Sequence, residues 1–348
     1  MDALPYGLLA ALVGLAGGMM LGLAARLGEF CTLGALEAAV YGDDQRRLRM
    51  WGVTLAVAIT GVFALEAAGQ VDLSRTIYHG VAWNPLASVV GGLLFGYGMA
   101  YAGNCGFGAL TRFGGGDLRA LVVVVVMAIF GFMTLNGPLA PIRAALFPQS
   151  AAEGGQGFAH LAEAAAGLPM IVTALVVAAA LLAWALAHAP LRASPRMIGW
   201  AAVAGLAIAS GFWGTNYLYG ASFGAIDVEG HTFTAPLGRT LLYLMTSTAG
   251  GIGFPVGSVL GVLAGAFLGS FIRGRFRWEA CEDPRELGRQ VGGAVLMGIG
   301  GVVALGCSVG QGLSAFATLA WSAPVTLAAI AAGGLLGLRH LLSGFQPE

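Results

Sequence analysis

Nine stretches of this 348-residue chain are apolar over the length a bilayer demands: residues 7–25, 50–69, 86–103, 117–135, 168–188, 197–214, 251–271, 288–306 and 322–341. A hydrocarbon core of roughly 30 Å takes about 20 apolar residues in α-helix. No water is available there for a free N–H or C=O, so a spanning segment must close its own hydrogen bonds. The chain therefore reads as an all-α polytopic membrane protein of about nine transmembrane helices. Composition agrees, at 57% hydrophobic, 10% charged and mean hydropathy +0.81, where soluble domains carry about 25% charged residues. The net charge of zero says nothing about partners, and no nucleic acid is expected among them. No basic residue precedes Arg26, so residues 7–25 lack the charged flank of a cleaved signal and are expected to remain as a span.

Charge orients the spans. With the N-terminus outside and the C-terminus cytoplasmic, all of the 17 arginines except Arg75, Arg143 and Arg239 fall on the cytoplasmic side or its half of the membrane, as the positive-inside rule asks. The loops at 70–85 and 136–167 and the Asp227–His231 stretch then face outward. Residues 236–249 are apolar but short, begin at Pro236 and end in Ala-Gly-Gly; they read as a re-entrant piece or the broken half of the next span. Residues 1–140 form a first repeat, 141–196 an outer loop with a linking span, and 197–348 a second repeat. An odd number of spans between alike halves inverts one relative to the other, a pseudo-two-fold arrangement that puts a pathway near the midplane. Gly14, Gly18 and Gly22, and Gly257, Gly261, Gly265 and Gly269, form ridges that let helices approach closely in lipid.

Three of the four cysteines share one frame, C-x-x-G, at Cys31, Cys105 and Cys307, and a fourth copy without the thiol begins at Ala221. Each copy follows a span, at 31–40, 105–113, 220–226 and 307–316. Each is too short and Gly-interrupted to cross and too apolar for an ordinary loop, so short half-helices dipping into the membrane are expected. The strongest constellation is Gly103-Asn104-Cys105-Gly106-Phe107-Gly108, running on to Arg112 and a Gly triplet. Asn104 and Arg112 at membrane depth are costly and suit a cavity, and Gly106 lets a small solute near the thiol. In the last element Ser308, Gln311 and Ser314 are candidates to line the path or to make interhelical hydrogen bonds.

A thiol is a weak donor and weak acceptor, suited to holding a polarizable anion loosely enough to release it. A half-helix N-terminus adds N–H groups and partial positive charge. A small dianion with a terminal sulfur suits both. No metal site or cofactor is expected, because the elements are poor in His, Asp and Glu apart from Glu29 and Glu37. No catalytic signature appears, so the chain is not expected to be an enzyme. A membrane thiol–disulfide redox protein is the competing reading, but the C-x-x-G frame lacks the second Cys of a redox pair. A soft-metal permease is a third reading. His79, His160 and His231 fall in the outer loops and are expected to be solvated. Cys281 sits outside the frame in an Arg-rich cytoplasmic loop and is given no role.

At GEFCTLGAL, AGNCGFGALTRFGGG and MGIGGVVALGCSVGQGLS the chain resembles the YeeE/YedE family of bacterial inner-membrane proteins linked to sulfur transport. The three pieces recur in the family's order and span nearly the whole chain. The resemblance implies an hourglass membrane fold with internal pseudo-symmetry and a channel-like importer of thiosulfate, or of another sulfur or selenium species. It implies essential pathway cysteines at Cys31, Cys105 and Cys307, and a separate small cytoplasmic TusA-like sulfurtransferase as partner.

Overall fold

The computed structural model describes residues 5–248, 251–280 and 283–343; Cys281 lies outside the described residues. Sixteen α-helices are present among them and no strand. The N-terminal part holds α1 (Tyr6–Gly28), α2 (Thr32–Tyr41), α3 (Arg46–Ala67), α4 (Ile77–Gly80), α5 (Pro85–Ala102), α6 (Gly106–Phe113) and α7 (Leu118–Leu135). The short α8 (Ala140–Leu146) and α9 (Phe158–Ala166), then α10 (Met170–Leu186) and α11 (Ala189–Arg192), connect onward. The rest comprises α12 (Pro195–Ala221), α13 (Ala235–Thr246), α14 (Phe254–Ile272), α15 (Pro284–Val303) and α16 (Ser322–Ser343), with a π-helical turn at Gly310–Ala315.

A long helix coincides with each of the nine apolar stretches. By length and hydropathy, seven of the described helical segments can cross a membrane. Of the other two long helices, α10 is apolar but only 17 residues, and α15 opens on Arg285, Glu286 and Arg289. Starts are set by local chemistry: the Asn84 and Asp117 side chains accept backbone N–H groups from Ala87 and Arg119, and Pro85 at the first helical position needs no donor.

The glycine ridges fix which helices pair and in which sense. Gly14, Gly18 and Gly22 of α1 face successively later residues of α14, from Phe254 through Ser258 and Val262 to Ala266. The two helices therefore run parallel. A Cβ on Gly257 would collide with the Ala11 carbonyl, so only glycine permits this approach. Likewise α5 and α16 run parallel, Gly92 facing Ala329 and Gly337 facing Tyr97 and Ala100, and so do α3 and α12, Gly205 facing Thr54 and Gly61 facing Ala209. By contrast α5 and α15 run antiparallel, with Gly91 against Ala304 and Gly98 against Gly293. Phe63, Phe95, Phe212 and Phe233 fill the centre, all fully buried, while Leu244, Met245 and Phe271 lie exposed on the apolar periphery.

The Ala221 frame is not a half-helix. Ala221 ends α12, and residues 222–226 form a tight turn with Phe223 at φ 54° and Gly224 at φ 85°. Phe223 is 99% exposed. The short helix of this quarter is α13, and it begins where Pro236 sits at its second position. Without a thiol to cap a turn, the frame is an ordinary helix C-terminus in which Gly supplies a left-handed residue.

Candidate substrate pathway

Each frame cysteine opens a short helix. The Cys31 carbonyl accepts from Ala35 N–H at 3.1 Å, the Cys105 carbonyl from Ala109 at 2.7 Å and the Cys307 carbonyl from Gln311 at 2.8 Å. Cys31 and Cys105 sit at the N-cap, in extended backbone conformation. The glycine at +3 completes the motif. Gly108 N–H donates to Cys105 Sγ at 3.4 Å and Gly310 N–H donates to Cys307 Sγ at 3.4 Å, so the thiol takes the place of a serine or aspartate cap. A side chain at either glycine would crowd the site: a Cβ on Gly310 would strike Thr232, and one on Gly108 would lie 3.1 Å from Asn104 Cβ. Cys31 has no such cap bond.

Cys105 is the frame thiol with both other frame cysteines nearby. Both Cys31 and Cys307 act on it electrostatically, and the Ser308 hydroxyl adjoins it. All three are free thiols; Cys105 and Cys307 are each 1% exposed and Cys31 is half-buried. Cys307 Sγ receives a further N–H, from Phe233 at 3.3 Å, and Thr232 Oγ1 lies 3.7 Å away. With sulfur lone pairs engaged as acceptors, the S–H proton is left to donate. One polar atom beside Cys105, Asn104 Oδ1, is buried without a hydrogen-bond partner, a condition uncommon in folded proteins and found where a ligand or water belongs. The Asn104 amide nitrogen makes one long bond, 3.4 Å to the Ala102 carbonyl, so little holds the carboxamide in one rotamer.

The remaining expected residues divide. Gly106 packs against Met127 and the Phe233 carbonyl, leaving no room for a Cβ. Gln311 is fully buried, but its amide is committed: Nε2 donates to the Ala304 and Leu305 carbonyls at 2.9 and 3.2 Å, and Oε1 accepts from Ser322. It braces the turn around Cys307. Ser314 is likewise tied, donating to the His231 carbonyl at 2.6 Å. Arg112 lies at the opposite end of α6 from Cys105, exposed, lining a separate polar cavity. The histidine expectation fails for two of three. His79 is 3% exposed and His231 is 0% exposed, because the loops that carry them fold inward. His231 bonds Ser258 at 2.7 Å and packs against Gly17 and Gly211. His79 meets the half-buried His160 in a tilted pair, ring centroids 5.0 Å apart; burial, then the neighbouring His160, push it down to about 4.

Two cavities adjoin the row of thiols. One of 370 Å³ reaches from Arg75, Asp227, Glu229 and Arg239 down to Thr232 and Gly306, the neighbours of Cys307, with Tyr78 in its wall. Its arginines are paired, Arg239 to Glu229 at 3.0 Å and Arg75 to Asp72 at 2.7 Å, and burial pushes the Glu229 carboxyl up. Tyr78 is 8% exposed and near both Cys307 and Ser314. Nothing in its sequence neighbourhood marks it, nor the Phe233 N–H that reaches Cys307 across 74 residues. The other cavity, 530 Å³, lies beside Cys31 and is lined by Glu29, Asp44, Arg46, Arg47, Arg196 and Arg273 among others. Arg47 binds Glu29 at 2.6 Å and stands against Gly34, one turn from the thiol. Arg46 holds the Asp44 carboxyl well down, to about 2.

Three free thiols at the starts of short helices, with polar cavities near Cys307 and Cys31, mark the candidate path. The sulphur transport family matches residues 27–336, which contain all three frame cysteines. The thiosulfate transporter TsuA of Escherichia coli (strain K12) is 28% identical over 329 residues, covering 89% of this chain and 88% of that protein. The thiosulfate transporter TsuA of Spirochaeta thermophila (strain ATCC 700085 / DSM 6578 / Z-1203) is 26% identical over 326 residues, covering 89% and 92%. By the extent of that match, the chain belongs to the sulphur transport family, whose members are transporters and not enzymes.

Proposed function

We propose that the protein imports thiosulfate across the bacterial inner membrane, handing the dianion along Cys307, Cys105 and Cys31 without covalent chemistry. The observation that carries this reading is the gathering of the two other frame thiols and the Ser308 hydroxyl about Cys105. The anion enters the 370 Å³ cavity under Tyr78, meets the S–H of Cys307, passes Ser308 and Asn104 to Cys105, and leaves past Cys31 into the 530 Å³ cavity. Neutral S–H donors bind a soft anion weakly, which conduction requires. Gly106 lets α6 start close against Met127 and Phe233 beside the thiol, Gln311 holds the Cys307 turn in shape, and Arg112 gives the α6 half-helix a positive foot. The TsuA relatives, thiosulfate transporters by name, support the substrate.

The parallel packing of α1 on α14 supports a single crossing by residues 236–271: a second crossing there would reverse α14. The three parallel pairs and the antiparallel α5–α15 contact fit two inverted halves, residues 1–140 and 197–348, joined by 141–196, with the N-terminus outside and the C-terminus cytoplasmic. In that arrangement α13 is the counterpart of α2, and Thr234 at its N-cap stands where Cys31 stands in the first half. A TusA-like sulfurtransferase would receive sulfur at the cytoplasmic cavity. Uptake of 35S-thiosulfate into cells lacking their own uptake systems tests the proposal. Expression should restore uptake and Cys105→Ala should remove it; uptake unimpaired by Cys105→Ala would sink the thiol path.

A further inference from the structure

Beyond the transport path, a third polar cavity of 620 Å³ lies where α1, α6 and α14 end, and the thiols take no part in it. Five arginines line it, Arg26, Arg112, Arg119, Arg275 and Arg277, against two carboxylates, Asp117 and Glu279. Those carboxylates are already engaged. Asp117 holds Arg119 at 3.2 Å, and Glu279 lies 3.6 Å from Arg119 and 3.5 Å from Arg277. Arg26 donates to Ser270 at 2.7 Å. Among the described residues Arg26, Arg112 and Arg275 form no ion pair. Five guanidinium groups against two carboxylates leave the cavity a positive surplus, which makes it an anion site.

The walls are built in advance. Arg277 and Glu279 N–H groups donate to the Gly115 and Gly116 carbonyls at 3.3 and 3.0 Å, and Leu118 N–H donates back to Glu279 at 3.0 Å. Gly116, at φ 102°, lies so close under Arg277 that a Cβ would collide with its carbonyl. The rim is apolar. Phe276 lines the cavity and meets Phe267 and Trp278 edge-to-face at 5.2 and 5.3 Å. Phe267, Phe271 and Trp278 are 50%, 70% and 64% exposed on the side that continues the apolar α14 surface. A five-atom oxyanion fills about two or three waters' worth of space, roughly 60–90 Å³, and has no use for an aromatic rim. A ligand joining a phosphate to acyl chains uses both, and basic pockets at helix ends beside the bilayer suit such headgroups.

We propose that this cavity binds the headgroup of an anionic phospholipid, its phosphate held by Arg26, Arg112 and Arg275 and its chains lying along Phe267 and Phe271. The test uses the full-length protein in detergent, titrated with phosphatidylglycerol, phosphatidylcholine of the same chains, or inorganic phosphate, and followed by thermal unfolding and native mass spectrometry. Phosphatidylglycerol should raise Tm by about 2–4 °C and remain bound in the mass spectrum, with neither effect from the other two. Arg275→Gln and, at the rim, Trp278→Ala should each weaken phosphatidylglycerol binding at least about fivefold. An equal shift with phosphatidylcholine would make it generic lipid solvation. The same shift with inorganic phosphate would make it a free-anion site. Binding unaltered in both variants would also overturn the proposal.

Discussion

The cavities at the two ends of the thiol row are built on opposite electrostatic plans. Near Cys307, Arg75 and Arg239 are each tied to a carboxylate, and Asp227 and Glu229 share the wall. Near Cys31, four arginines face two carboxylates, and Glu29 is shared between Arg47 at 2.6 Å and Arg273 at 3.5 Å. The first cavity is balanced and roofed by buried groups; the second keeps a positive surplus. For the proposed import this asymmetry has a use. A dianion entering a negative cell interior loses about 4.6 kcal/mol per 100 mV, and a positive exit cavity offsets part of that. The balanced entrance, in turn, does not trap the anion before it reaches the thiols.

Four experiments press on this contrast. The largest effect belongs to the constriction between the cavities: Cys307→Ala should cut thiosulfate uptake at least about tenfold with both cavities intact, and Cys307→Ser, which keeps an O–H donor, should recover part of it. Next is acid stability, confined to the roofed end. His79 is held near 4 by burial and His160, against about 6.5 unfolded. Its stabilising contribution is complete above pH 6.5 and is lost as pH falls towards 4, about 3 kcal/mol in all. Thermal unfolding of His79→Asn should therefore show a flatter pH profile than the parent over that window. A smaller effect is expected at the surplus end, where Arg47→Gln should lower uptake about three- to tenfold and reduce its sensitivity to salt. The smallest is Arg75→Gln, less than about twofold, because Arg75 is already neutralised by Asp72 and rests on Tyr219. A loss at Arg75 as large as at Arg47 would erase the contrast.

The apolar stretches were legible because burial in lipid demands a long helix regardless of what it packs on. The C-x-x-G frame was legible as a unit, and the structure supplies its reason: Cys caps the half-helix and the glycine N–H binds the sulfur. The same frame misled at Ala221, where a thiol-less copy lies at a helix end and turns outward. Periodicity does not tell a start from a stop when the capping group is missing. His79 and His231 misled for a related reason. Loop position implies solvent only when the loop stays at the surface; His79 folds in against Gly157 and His160, and His231 against Gly17 and Phe254.

The sequence by itself determined that the chain spans a membrane in helices, which glycine ridges those helices would pack with, and which three thiols share one frame, since each rests on composition or on residues within one turn. The tertiary structure alone decided that α1 pairs with α14 in parallel, that the other two frame thiols come near Cys105, that Phe233 and Tyr78 reach Cys307, and that arginines from distant segments gather into a paired set in one cavity and a surplus in another. Those facts depend on contacts across tens to hundreds of residues, where close approach and charge pairing act through space and leave no local pattern to read.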